Sequence, residues 1–136
     1  MKPIIGIVLA SLLACTAIQT NAADKVTTTA VQFARGSNGA TLQGNFSGYG
    51  GARYTLSARA GQMMQIRITG SSNANFNVFA PGDIPGSSTA LGRGDIDQGW
   101  SGRLPADGTY MVQVYQGRNS ARRGTQVPYE ITFEIR

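Results

Sequence analysis

The chain contains no histidine, and it has one cysteine in 136 residues. Histidine is the side chain used most often as a general base and as a metal ligand, so its absence removes both roles. The cysteine, Cys15, lies within the first 22 residues, and the rest of the chain lacks a thiolate for nucleophilic catalysis or a zinc site. Asp95 and Asp97 lack the third ligand and distal glutamate of a calcium loop, which favours a polar loop. These absences predict a protein that is not an enzyme and carries no metal ion or cofactor.

Charged residues are also scarce, at 14% of the chain, and lysine is rarer still. Beyond residue 22, eleven basic side chains, ten of them arginine, exceed seven acidic ones. A nucleic-acid-binding protein usually carries more basic residues to neutralise phosphates, so we expect no nucleic-acid partner. An excess of arginine suits planar, two-pronged pairing with carboxylates. Codon usage in a GC-rich genome is the alternative explanation.

The first 22 residues have the pattern of a secretory signal peptide. Lys2 is followed by an apolar run over residues 4–14 and by the small-residue site Thr20-Asn21-Ala22. The apolar run is too short to span a bilayer. The pattern as a whole predicts export to the periplasm, and residues 23–136 are then expected to form a single domain. Residues 12–15 (LLAC) also resemble a lipobox, and the alternative is a lipid anchor at Cys15 that holds the protein at the outer membrane.

No stretch after residue 24 has the periodicity of an amphipathic helix. Short runs of alternating apolar and polar residues recur instead, as in residues 109–115 and 129–135, and clusters of Gly, Ser, Asn and Pro separate them. This pattern is typical of an antiparallel sandwich. We therefore predict an all-β fold, a single antiparallel β-sandwich of about eight short strands. Residues 82–99 show no sustained alternation, and no element is predicted there.

The most informative stretch combines a turn, a strand and a basic segment. Residues 104–108 (LPADG) have turn composition, residues 109–115 alternate as a strand, and residues 117–124 form a glycine-bounded loop with three arginines and no acid. The order LPxxGxY, strand, RNSAR resembles the bacterial periplasmic lysozyme inhibitors directed at g-type and i-type lysozymes. The resemblance covers most of the chain after residue 40. The middle of the chain is also similar to pre-peptidase C-terminal sandwich domains, which speaks to fold and not to function.

The resemblance implies a binding site for a lysozyme. In that family, a loop with an SGxY motif and an arginine-rich loop enter the substrate cleft of the enzyme. The matching turn 107–110 and loop 117–124 supply the implied partner-binding residues, which are Asp107, Gly108, Tyr110, Arg118, Asn119 and Arg122.

Tyr49 and Asp107 differ from the other candidate residues. Tyr49 lies among three glycines, where no adjacent side chain would bury it, and it is therefore a further contact candidate. Asp107 stands where the family pattern has serine, and an ionised carboxylate only accepts hydrogen bonds. Near a catalytic carboxylate it would also add repulsion. We expect Asp107 to stay out of the cleft and to cap its own turn, residues 106–108.

Together these features predict an exported β-sandwich that inhibits a lysozyme, the g-type in the first instance, by blocking its active-site cleft. An i-type target remains an alternative, because the choice depends on the RNSAR spelling. A second alternative is a carbohydrate- or surface-binding module with the same fold and no inhibitory activity.

Overall fold

Strands make up nearly all of the regular structure in the computed structural model, which describes residues 25–136. The expected signal peptide, residues 1–22, and Cys15 lie outside these residues. No helix in the described part is long and apolar enough to cross a lipid bilayer. In chain order the elements are β1 (Val26–Ala30), β2 (Gly39–Ser47), β3 (Gly51–Ala58), β4 (Met63–Gly70), β5 (Asn75–Phe79), β6 (Gly92–Asp95), β7 (Trp100–Arg103), β8 (Gly108–Tyr115), α1 (Arg118–Arg122) and β9 (Gln126–Ile135).

The strands form two sheets that face each other across one core. The five-stranded sheet has the order β1-β3-β8-β5-β6, and the four-stranded sheet has the order β2-β9-β4-β7. Neighbouring strands are antiparallel except β1 and β3, which run parallel. The predicted all-β sandwich is confirmed, with nine strands where about eight were expected. One of them, β6, lies in the stretch with no predicted element, because it is specified by pairing with β5 and not by local alternation.

The core follows the period-two pattern of the sequence. Successive side chains of a strand point to opposite faces, so every second residue of β8 and β9 enters the space between the sheets. Phe46 packs edge-on against Tyr129 with ring centroids 6.1 Å apart, and Tyr54 packs against Phe133 at 5.3 Å. The largest fully buried side chains are Tyr110, Phe76, Phe133, Leu56, Met64, Ile66, Leu104, Ile131, Val78, Val112, Val114 and Val127.

One hydrogen bond joins the two sheets through the core. The hydroxyls of Tyr54 on β3 and Tyr129 on β9 lie 2.6 Å apart, and both side chains are buried. Burial raises the pKa of both phenols, and the bond to Tyr54 raises the pKa of Tyr129 further. Opposite Tyr129 in the register stands Gly44, where an added Cβ would collide with the phenol ring. Because both pKa values are raised, the two phenols stay protonated and hydrogen-bonded, and their bond links β3 to β9 across the core.

We expect Tyr54→Phe or Tyr129→Phe to lower the free energy of unfolding by about 1–3 kcal/mol, because each leaves one buried hydroxyl without its partner. The double substitution should cost less than the sum of the two, since it removes both polar groups together. Urea unfolding of the four proteins measures the coupling. Additive losses would show that the two hydroxyls do not stabilise the sandwich through each other.

Candidate functional site

The basic segment after β8 is a turn of helix and not the loop that was predicted. Residues Arg118–Arg122 form α1, and the amide of Ala121 donates to the carbonyl of Gly117 at 2.9 Å. Ala121 is buried and anchors this turn against the domain. The loop prediction was wrong because five residues are too few to show helical periodicity in the sequence.

The end of α1 explains the glycine that follows it. Gly124 has φ +69°, a left-handed conformation that glycine adopts without a Cβ clash. Its amide donates to the Ala121 carbonyl at 2.9 Å, and the amide of Thr125 donates to the Ser120 carbonyl at 3.2 Å. This pair of bonds is a Schellman motif, which satisfies the last carbonyls of a helix. The motif gives the arginine segment a defined backbone although most of its surface is exposed.

Three of the predicted contact residues lie on this helical turn. Arg118 and Arg122 are exposed and, at a spacing of four residues, project from the same side of α1. Asn119 is exposed beside them. The hydroxyl of Ser120 instead turns toward the loop between β4 and β5, where it donates to Oδ1 of Asn73 at 3.3 Å.

Tyr49 stands at the tip of the tight turn that connects β2 to β3. The amide of Gly50 donates to the carbonyl of Ser47 at 3.1 Å, and Gly48 has φ +60°. The glycine is required at this position because L-residues rarely adopt a positive φ. The Tyr49 side chain is 57% exposed, as expected from its glycine-rich surroundings. A rigid turn therefore presents a large aromatic surface to solvent.

A buried glutamine joins the Tyr49 turn to α1. Nε2 of Gln116 donates to the carbonyls of Gly48 and Thr125, both at 2.8 Å. We call the surface formed by turn 47–50, loop 71–74 and segment 117–125 the arginine end. Gln116 was not among the predicted site residues, although it continues the buried face of β8, two residues beyond Val114.

The three segments of the arginine end carry positive charge and no acidic side chain. They contain Arg118, Arg122 and Arg123 and no aspartate or glutamate. Within residues 25–136 one ion pair forms, between Arg136 and Glu134, so these three guanidinium groups have no carboxylate partner in the described part of the chain. Residues 25–136 also contain no cluster of three or more side chains suited to hold a metal ion. The surface is suited to bind carboxylates of another molecule.

The LPxxGxY motif forms a corner of the fold. Tyr110 is fully buried, and its hydroxyl donates to the carbonyl of Ala106 at 2.7 Å and accepts from the amide of Ala106 at 3.1 Å. This bonding to the backbone four residues upstream resembles the tyrosine corner of immunoglobulin-like sandwiches. Leu104 is buried beneath the same turn. Tyr110 offers no surface for a partner in this conformation, so the structure gives it a structural place and not the predicted contact.

Asp107 does not cap its own turn, and that prediction was wrong. Its Oδ1 accepts a hydrogen bond from the amide of Ala60, in the turn between β3 and β4, at 2.7 Å. The residue belongs to a contact between two turns that sequence spacing could not reveal, since 47 residues separate the partners. Next to it, Gly108 has φ +139°, and an added Cβ would lie 2.9 Å from the Pro81 side chain.

The turn 107–110 and the arginine segment lie at opposite ends of the sandwich. They are connected by β8, whose eight residues span about 23 Å from the first to the last. The two motifs that the resemblance implied for one cleft therefore do not lie side by side in this structure. Of the predicted site residues, the structure brings Tyr49, Arg118, Asn119 and Arg122 together and places Asp107, Gly108 and Tyr110 elsewhere.

Comparison with known proteins found close relatives, although no protein-family model matches the chain. The crystal structure of PliG from Aeromonas hydrophila, a periplasmic lysozyme inhibitor of g-type lysozyme, is 58% identical to it. That match covers 84% of this chain and 100% of the Aeromonas chain, with a TM-score of 0.81. An inhibitor of g-type lysozyme from Escherichia coli K12 is 29% identical over 106 residues, which are 78% of this chain and 79% of the relative.

A more distant likeness concerns the fold alone. The pre-peptidase C-terminal domain of collagenase from Bacillus anthracis is 14% identical, with a TM-score of 0.54 over 85% of this chain and 100% of that domain. The expected similarity to this sandwich class is thus confirmed. At 58% identity over the whole of the solved Aeromonas chain, that match decides the family. The chain belongs to the family of periplasmic inhibitors of g-type lysozyme.

Proposed function

We propose that this protein inhibits g-type lysozyme by placing its arginine end in the substrate cleft of the enzyme. The inhibitor performs no catalysis itself and acts by occlusion. The observation that carries the proposal is the meeting of an exposed tyrosine and an acid-free arginine helix on one end of a rigid sandwich. The names of the Aeromonas and Escherichia coli relatives support the choice of the g-type over the i-type.

The chemistry of the arginine end complements that of a lysozyme cleft. Glycoside hydrolases of this kind work with carboxyl groups beside the scissile bond. A guanidinium fork pairs with a carboxylate through two parallel N–H···O bonds, and such pairs strengthen where water is excluded. Arg118 and Arg122 lie on the same side of α1, which supports their assignment to these bonds. The Tyr49 ring then occupies a position where a sugar ring would bind.

Rigidity supports the same assignment. Tyrosine and arginine recur among the side chains that dominate the energy of protein interfaces. Their contribution is largest when the backbone needs no further ordering on binding. The Schellman motif after α1 and the positive φ of Gly48 hold both contact elements in the free protein. The turn 107–110 is not part of the proposed interface, because it lies at the far end of β8.

The relatives with solved structures are described as periplasmic, and we propose the same location for this protein. The signal-peptide pattern of residues 1–22 supports export. The lipid anchor at Cys15 remains the alternative, which mass analysis of the mature protein separates from simple cleavage after residue 22.

A panel of lysozymes tests the proposed target. We expect the purified protein to inhibit a g-type lysozyme at a near-stoichiometric ratio and to leave c-type and i-type enzymes much less affected, measured as clearing of peptidoglycan suspensions. A pull-down on peptidoglycan without enzyme should retain little of it. Retention on peptidoglycan combined with no inhibition of the g-type enzyme would contradict the proposal and favour a surface-binding module.

Arg118→Ala and Arg122→Ala should each weaken inhibition of g-type lysozyme by tenfold or more, with little change in melting temperature. Loss of one partner from a desolvated charge pair costs about 2–5 kcal/mol, and about 1.4 kcal/mol is a factor of ten. The exposed positions of both side chains explain why stability should hold. The inhibition constant and the melting temperature are measured for each variant.

Substitutions at the far end provide the matched controls. Arg59→Ala removes an exposed arginine from the β3–β4 turn, and Asp107→Ser restores the residue of the family pattern at the cost of the bond to Ala60. Both should inhibit as well as the parent. If they weaken inhibition while the Arg118 and Arg122 variants do not, the interface lies at the far end and the proposed one is wrong.

A further inference from the structure

We propose that Gln116 is the positioning residue of the arginine end, which sets the distance and orientation between the Tyr49 turn and α1. This inference rests on the proposed function, because it assigns Gln116 a part in recognising the lysozyme without touching it. Gln116 is 7% exposed and, tyrosines aside, is the one buried polar side chain among residues 25–136.

The geometry uses both donors of a single amide. One N–H of Nε2 points to the Gly48 carbonyl in the Tyr49 turn, and the other points to the Thr125 carbonyl just after α1, each at 2.8 Å. The Thr125 carbonyl also accepts from the Gly48 amide at 3.3 Å. Each of Gln116, Gly48 and Thr125 is therefore hydrogen-bonded to the other two. The three residues belong to three different segments of the chain.

The two side chains closest to glutamine in length cannot make these bonds. A glutamate would bring a carboxylate against two carbonyl oxygens, and methionine has the length but no donor. The orientation of the amide is unambiguous, because a flipped amide would place its oxygen against both carbonyls. In the observed orientation Oε1 is buried without a hydrogen-bond partner among the described protein atoms. An unpaired buried acceptor destabilises a fold, so the bonds to Gly48 and Thr125 must offset that cost locally.

Loss of the amide should loosen the connection between the two elements and leave each element intact. The Tyr49 turn keeps its own bond from the Gly50 amide to the Ser47 carbonyl, and α1 keeps its Schellman motif. The Gly48 amide bond to Thr125, which is the longest of the three, would then remain together with the β2–β9 ladder, which ends at the Ser47–Gln126 pair. Tyr49 and the arginines would still be present and exposed, but no longer preorganised for one cleft.

The test compares Gln116→Met and Gln116→Glu with the same two substitutions at Gln113, which lies on the outer face of β8, three residues before Gln116. Three quantities are measured: the inhibition constant for g-type lysozyme, the melting temperature, and the rate of tryptic cleavage after Arg118, Arg122 and Arg123 relative to cleavage after Arg59. For Gln116→Met we expect about tenfold weaker inhibition, equivalent to about 1.4 kcal/mol of lost preorganisation. Cleavage should accelerate in α1 and not after Arg59, and the Gln113 variants should match the parent.

The outcomes separate the two proposals. If Gln116→Met inhibits like the parent and its α1 is cleaved no faster, Gln116 does not position this end. If cleavage accelerates equally at Arg59 and the melting temperature falls, the residue serves general stability and the inference is also overturned. If the parent inhibits no g-type lysozyme, the proposed function fails, while the cleavage pattern still decides whether Gln116 joins the two elements. Should Gln116→Glu not fold, the methionine variant decides alone.

Discussion

The length of β8 is the constraint on which the arrangement of this protein depends. The strand runs from Gly108 to Tyr115 through the middle of the five-stranded sheet, with β3 on one side and β5 on the other. Its eight residues keep the corner before it and the arginine segment after it at opposite ends of the domain, about 23 Å apart. The alternation along the strand directs Tyr110, Val112 and Val114 into the core, and the strand cannot shift by one residue without exposing all three. The two motifs that stand out in the sequence therefore serve different purposes.

The corner before β8 stabilises the fold, and we propose that the segment after it is a surface for a partner. At the corner, every distinctive residue has a structural bond or a packing role, from the Tyr110 hydroxyl on the Ala106 backbone to the Asp107 carboxylate on the turn between β3 and β4. At the arginine end, Tyr49, Arg118 and Arg122 have no such partners among residues 25–136. All three side chains are exposed on backbones that glycines and hydrogen bonds hold in place. An interface with another protein requires exposed side chains that have no partner within their own chain and that stand on an ordered backbone.

The sequence predicted the fold well because most of its information is local. Alternation over β8 and β9 identified the strands and their buried faces, and turn composition marked where they end. Interactions between residues far apart in the chain could not be predicted from local patterns. They are the bond from Ala60 to Asp107, the pairing of β6 with β5, and the bonds of Gln116 to two other segments. The separation of turn 107–110 from the arginine segment could not be predicted for the same reason, since closeness along the chain does not mean closeness in space across an extended strand. Tyr49 was identified correctly as exposed, because three neighbouring glycines left nothing to cover it.

Amide hydrogen exchange of the protein alone and in complex with a g-type lysozyme tests the central claim, which is that the arginine end forms the interface. The account predicts slower exchange on binding in turn 47–50 and segment 117–125, with exchange unchanged in the turns 59–62 and 104–108 at the other end. Protection of turns 59–62 and 104–108, without protection of the arginine end, would contradict it.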